Sequence, residues 1–154
     1  MKYLFILILS FNLYAQNILG QTDRLDLPEF SIFNVKAKID TGARTSSIQC
    51  YEIVPLENNR VKFTLINSKL NKKYFIKPVA RIAKVKSSNG ESEKRYFINT
   101  TIVIYNKAYN IEVSLSFREN MKYSLLVGRE LLEQGFIVDV SKKDLSYKSK
   151  KMKN

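Results

Sequence analysis

Short runs of alternating apolar and polar positions dominate the chain. Arg60–Ile66 (RVKFTLI) places charged and apolar residues on alternate positions, the period-two mark of a strand with one buried face. Residues 109–117 alternate in the same way, and residues 31–39, 47–54, 74–86 and 94–105 have β character. The segment Pro55-Leu56-Glu57-Asn58-Asn59 reads as a turn, as does Asn106-Lys107. Ser87-Ser88-Asn89-Gly90-Glu91 reads as a hairpin connection, because Asn-Gly tolerates positive φ at both central positions. The one helical signal is RELLEQ at residues 129–134, entered from Gly128 and ended by Gly135. Residues 136–140 follow as a buried strand. About seven short strands and one short C-terminal helix predict a mainly β protein, a small closed or semi-closed β-barrel. No internal repeat or interdomain linker interrupts it.

The N-terminus departs from that pattern. Lys2 precedes an apolar run over residues 3–13, broken only by Ser10 and Asn12. The run is too short to span a bilayer comfortably and reads as a secretory signal, with Ala15 or Gly20 as the small residue for cleavage. The expected organisation is a signal peptide over residues 1–20, a lead-in over 21–30, the folded domain over 31–145 and a basic tail over 146–154. Export to the periplasm or medium is expected, with an uncleaved N-terminal anchor as the alternative.

The 154 residues are 45% hydrophobic and 26% charged, which suits one folded domain and argues against disorder. The formal charge is +12, and much of the excess sits in Lys142, Lys143, Lys148, Lys150, Lys151 and Lys153. Such a tail is expected to be solvated and frayed, with weak contact to an anionic membrane surface as a further role. No phosphate loop or recognition-helix signature points to nucleic acid. There is no histidine and one cysteine, Cys50. Cys50 has no internal disulfide partner and no His to activate it, so it reads as a small core residue.

Those absences direct attention to Asp40-Thr41-Gly42-Ala43, entered from the strand-like residues 35–39. A carboxylate at the mouth of a strand, then a hydroxyl, then a residue without a side chain, is how an aspartic protease brings two carboxylates face to face. Like charges ~3 Å apart cannot both ionise, so such a pair shares one proton and splits the work of base and acid. Thr41 is expected to lock the turn by hydrogen bonding, and Gly42 to let backbone amides approach the carboxylate. The element occurs once. Asp139 is the best second carboxylate by strand context, but it lacks the following hydroxyl and glycine. A twofold homodimer in which each chain gives one Asp40 solves the shortage by symmetry.

In these residues the chain resembles the retropepsins. The shared features are the DTGA element after an apolar strand and Leu125-Leu126-Val127-Gly128-Arg129 before a short helix. It is more similar still to a bacterial retropepsin-like branch labelled ATP-dependent zinc protease and found beside ATP-grasp peptide ligases. Five blocks carry that similarity: residues 35–47, Ser88-Asn89-Gly90 with Arg95, residues 118–123, residues 126–129 and residues 138–142. They span nearly the whole presumed mature domain. The resemblance implies a retropepsin-like barrel, a homodimer, a peptide or protein substrate, and catalysis by Asp40 with Thr41 and Gly42. It also implies a flap at residues 87–90.

Two family features are missing. Where members often carry a His, this chain has Gln49-Cys50, and no ligand set for zinc is visible. No cofactor, metal or ATP loop is therefore expected. Ala43, Arg44, Asn89, Gly90 and Arg129 are the expected substrate-binding positions. Arg44 and Arg129 would hold a substrate carboxylate, pair across the dimer, or form internal salt bridges. Arg118 and Met121 would pin the segment leading to the core strand. An exported aspartic endopeptidase is the leading expectation. A non-catalytic module binding a peptide or cell-wall fragment is the alternative, and a basic protein adhering to anionic surfaces is a third reading.

Overall fold

A computed structural model describes residues 17–66, 71–86, 90, 92–117 and 122–152. The chain runs through β1 (Asn17–Leu27), a 3-10 turn (Pro28–Phe30), β2 (Ile32–Ile39), β3 (Ser46–Cys50) and β4 (Glu52–Leu56). It continues through β5 (Arg60–Ile66), β6 (Lys72–Pro78), β7 (Arg81–Lys86), β8 (Ser92–Ile104) and β9 (Lys107–Phe117). Then follow β10 (Leu125–Val127), α1 (Arg129–Leu132), β11 (Phe136–Lys143) and α2 (Leu145–Met152).

Eight strands form one sheet in the order β11-β1-β2-β10-β3-β9-β8-β7. Because β1 also meets β8 at Asp26↔Val103, six of them curl into a semi-closed ring, the barrel expected from the strand pattern. Alternate residues point inward, including Leu19, Leu25, Ala37, Ile48, Cys50, Ile98, Ile102, Val113, Leu115, Leu125 and Val127, all at most 2% exposed. Strands β4, β5 and β6 form a separate antiparallel meander. The Phe30 ring, from the 3-10 turn, packs edge-on against Phe63 of β5 and Phe75 of β6, with centroids 5.7 and 4.9 Å away.

Several boundaries differ from the sequence expectations. Residues 21–30 are not a lead-in: they complete β1 and the 3-10 turn, in the middle of the barrel wall. The alternation there is hidden by two buried acids. Asp23 accepts amides from Arg24, Ser146 and Tyr147, and Asp26 accepts the Asn34 amide and the Lys150 ammonium. Residues 17–20, assigned to the signal, already pair with β11 from Asn17↔Phe136 to Gly20↔Asp139. Residues 1–16, with the apolar run, lie outside the described residues. Among the described residues no helix is long and apolar enough to cross a membrane.

The run at 47–54 is two strands, because the chain leaves the ring for the meander at Tyr51. The run at 74–86 is likewise split at Val79 and Ala80, whose amides bond to Asn59 of the meander and Phe97 of the ring. Periodicity reports burial, not which sheet a strand joins. The tail is also ordered through Met152 as α2, seated on β1. The Asp23 carboxylate accepts the Ser146 and Tyr147 amides at 2.9 and 3.2 Å, capping its N-terminus, and Lys150 lies 2.6 Å from Asp26.

Candidate active site

Asp40 ends β2, and its position is set by the backbone on both sides. Its amide donates to the Val127 carbonyl at 2.9 Å, so the parallel β2–β10 pairing continues to the acid itself. The chain then turns back. The amides of Gly42 and Ala43 donate to Asp40 Oδ1 at 3.1 and 3.3 Å, and the Ala43 amide also reaches the Asp40 carbonyl. Both amide bonds to the carboxylate go to Oδ1. Oδ2 accepts none among the described residues. The Asp40 residue is half-buried.

The segment from β10 into α1 holds this loop from behind. Gly128 donates its amide to Ser46 Oγ at 3.0 Å, and the Arg129 and Glu130 amides donate to the Ala43 and Arg44 carbonyls at 2.9 and 3.0 Å. The two backbones touch here: a Cβ on Gly128 would meet the Thr45 carbonyl carbon at 2.5 Å. That close approach is why glycine stands between the apolar pair and the helix. The Arg129 guanidinium Nη1 donates to the Thr41 and Gly42 carbonyls at 3.1 and 3.0 Å, and Arg44 pairs with Glu130 at 3.0 Å. Arg129 therefore clasps the loop backbone, and Arg44 has the internal salt bridge that was one of its three expected roles. Thr41 enters this network through its carbonyl; its hydroxyl makes no bond among the described residues.

A cleft of ≈ 430 Å³ opens beside the carboxylate. One wall is Asp40, Gly42, Ala43, Arg44 and Thr45; the floor is Ser47, Ser114 and Leu126; the opposite wall is Val85, Lys86 and Arg95 of the β7–β8 hairpin. The hairpin pairs from Arg81↔Phe97 to Lys86↔Ser92. Gly90 has φ 90°, and Asn89 with most of the tip lies outside the described residues, as do Arg118 and Met121. Asp139 is not brought to the cleft. It lies on β11, on the far side of β1 from β2, and its Oδ1 accepts the Ser141 amide and hydroxyl at 2.9 and 2.6 Å, which hold its carboxyl below the usual range.

Reading the strands alone missed Ser46, Lys86 and Arg95 as members of the site. Ser46 and Arg95 had a signal, as parts of blocks shared with the resembling branch; Lys86 had none. Cys50 is fully buried in the core, and burial pushes its thiol up to about 12. Among the described residues no three His, Cys, Asp or Glu side chains converge as metal ligands, so the donor set at this cleft does not fit zinc.

A "Probable alpha-L-glutamate ligase" of Shewanella pealeana is 35% identical over 130 residues, covering 80% of this chain and 28% of that protein. One of Desulfotalea psychrophila is 31% identical over 131 residues, covering 81% and 28%. The chain thus spans little more than a quarter of the length of these relatives. The crystal structure of Lpg0085, a Legionella pneumophila protein of unknown function, shares the fold with a TM-score of 0.72 at 23% identity, over 84% of this chain and 98% of that one. The model of the RimB-like family, described as retropepsin-like aspartic endopeptidase RimB, matches residues 18–149. With the DTGA loop, the Gly128 contact and the barrel that joins them, the chain belongs to the RimB-like family of retropepsin-like aspartic endopeptidases.

Proposed function

We propose that the protein is a homodimeric aspartic endopeptidase whose single site is built from the Asp40 of each protomer. The observation that carries this reading is the one-sided support of the carboxylate. Two loop amides hold Oδ1 in place, while Oδ2 is left for a partner carboxylate or the attacking water. In the proposed reaction the ionised Asp40 takes a proton from water as its oxygen bonds to the peptide carbonyl carbon. The protonated Asp40 of the other protomer gives its proton to the carbonyl oxygen. Collapse of the tetrahedral adduct breaks the C–N bond: the Asp40 that took the water proton gives it to the departing amine, and the other Asp40 recovers a proton from the collapsing hydroxyl. Arg129 and Gly128 act on this chemistry indirectly, by fixing the loop that aims Asp40.

The proposed substrate is an acidic peptide. Arg44, Lys86 and Arg95 line the cleft with one acid, Asp40; Glu130 and Glu93 offset Arg44 and Arg95, and Lys86 has no ion pair among the described residues. The relatives that contain a segment similar to this chain are named for glutamate ligation, which supports glutamate-bearing peptides as the substrate class. Export fits the apolar run at residues 3–13. Cleavage would then fall at or before Gln16, because β1 starts at Asn17 and removal through Gly20 would strip four residues that pair with β11.

The test is hydrolysis of a glutamate-rich peptide by the wild type and Asp40→Asn, with sedimentation of both. The reading expects a dimer in each case and turnover by the wild type alone. An active Asp40→Asn variant contradicts it. A chain that stays monomeric and binds the peptide without cutting it favours the binding-module alternative, since one protomer offers the cleft only one DTG carboxylate.

A further inference from the structure

Arg95 is the unexplained group at the cleft. It sits in β8 opposite Ala83 of β7, and its side chain is 8% exposed. One edge of the guanidinium is satisfied: Nε donates to Glu93 Oε2 at 2.9 Å. Nη2 is buried and has no partner among the described residues. Buried polar atoms nearly always have partners, and a guanidinium presents five donors in a fixed fork, so an orphaned nitrogen on the wall of a cleft marks a place for an acceptor. A second orphan lies on the same sheet face. Counting outward from the Phe97↔Ser114 pair, Arg95 on β8 and Ser116 on β9 are each two residues on, and Ser116 Oγ is also buried without a partner among the described residues. Glu93 balances the charge of Arg95, and Lys86 on the same wall, with no ion pair among the described residues, adds a positive charge.

We infer that Arg95 is the specificity residue of the cleft: its Nη2 edge takes a carboxylate of the bound peptide, with Lys86 at the rim supplying the attraction. This rests on the peptidase reading above and adds to it the residue that reads the acid. Arg95 has no hydrogen bond or ion pair with Asp40 among the described residues, so its removal is expected to alter which peptide is cut.

The experiment uses matched peptides with Glu or Gln near the scissile bond, each made with a free and an amidated C-terminus. That design separates a side-chain carboxylate from a terminal one. The wild type is expected to favour Glu over Gln at least about tenfold in kcat/KM, regardless of the C-terminus. In Arg95→Met the Glu-to-Gln ratio falls to within about twofold. Arg95 is buried while its partner Glu93 is 43% exposed, so Glu93→Gln/Arg95→Met, which removes both charges, is measured beside it to separate loss of the ion pair from loss of the peptide contact. A Glu preference that survives in either folded variant overturns the inference, as does a wild type indifferent to Glu and Gln. A preference tracking the terminal acid reassigns the carboxylate and overturns the side-chain reading. If the wild type cuts neither peptide, the peptidase reading fails, and the Arg95 inference is decided separately by binding of the same peptides to Asp40→Asn with and without Arg95→Met.

Discussion

Replacing Gly128 with alanine probes how the Asp40 loop is held. The new Cβ would lie 2.5 Å from the Thr45 carbonyl carbon, 2.7 Å from its oxygen and 2.8 Å from the Arg44 carbonyl oxygen. All three are backbone atoms and cannot rotate aside. Restoring ordinary contact requires the strand-to-helix segment and the loop to part by roughly 1 Å. Three backbone amides donate across that gap: Gly128 to Ser46, Arg129 to Ala43 and Glu130 to Arg44. Overpacking of this kind costs about 1–3 kcal/mol. Losing one or two of the bonds adds about 1 kcal/mol each. The expected loss of roughly 2–5 kcal/mol would lower Tm by roughly 5–15 °C in a domain of this size. Urea unfolding should show a lower midpoint at an unchanged slope, and peptide hydrolysis should fall further than stability alone explains. Gly42→Ala is the control, because its Cβ would meet only Asp40 Oδ1, at 3.4 Å. Its stability should change by less than about 1 kcal/mol. A Gly128→Ala protein that melts and cuts like the wild type would refute the reasoning.

Asp23→Ala leaves the Ser146 and Tyr147 amides at the start of α2 without their acceptor, and should cost about 2–4 kcal/mol with loss of helical signal. Burial pushes the Asp23 carboxyl up from 3.8, against the amides that pull it down, so the native state binds this proton more readily than the unfolded chain. Its contribution therefore grows as pH falls through the native pKa towards 3.8 and shrinks as pH rises through that window. The stability gap between wild type and Asp23→Asn should accordingly widen from pH 7 to pH 4, and a gap that narrows contradicts the assignment. Cys50, with its thiol pushed up to about 12, should resist iodoacetamide at pH 8 in the native protein and react fully in denaturant. Rapid native labelling would show that the core around it opens.

The parts of the fold written in local chemistry were legible from residues alone. Arg60–Ile66 was bounded to the residue by its alternation, whereas α1 starts at Arg129 as expected but ends at Leu132, two residues short of Gln134. The place of Asp40 at the end of β2 was legible because strand, acid, hydroxyl and glycine are consecutive. What escaped depends on partners distant in the chain. The first strand was hidden because Asp23 and Asp26 look like surface residues until α2 supplies their donors, more than a hundred residues later. The same pairing turned an apparently frayed lysine tail into a docked helix. Arg129 was assigned towards substrate because a surface arginine before a helix has no local sign that it will clasp carbonyls of Thr41 and Gly42. Lys86 and Arg95 became cleft residues only when the β7–β8 hairpin was laid opposite the DTGA loop.

The central claim is that two Asp40 carboxylates, one from each protomer, make one site. Mixing wild type with Asp40→Asn under conditions that exchange subunits tests it directly. With equal parts and random pairing, about a quarter of the dimers carry both acids, so activity per total protein should fall to about a quarter of the wild-type value. Activity that falls only to about half, in simple proportion to the wild-type share, would mean that each protomer works alone.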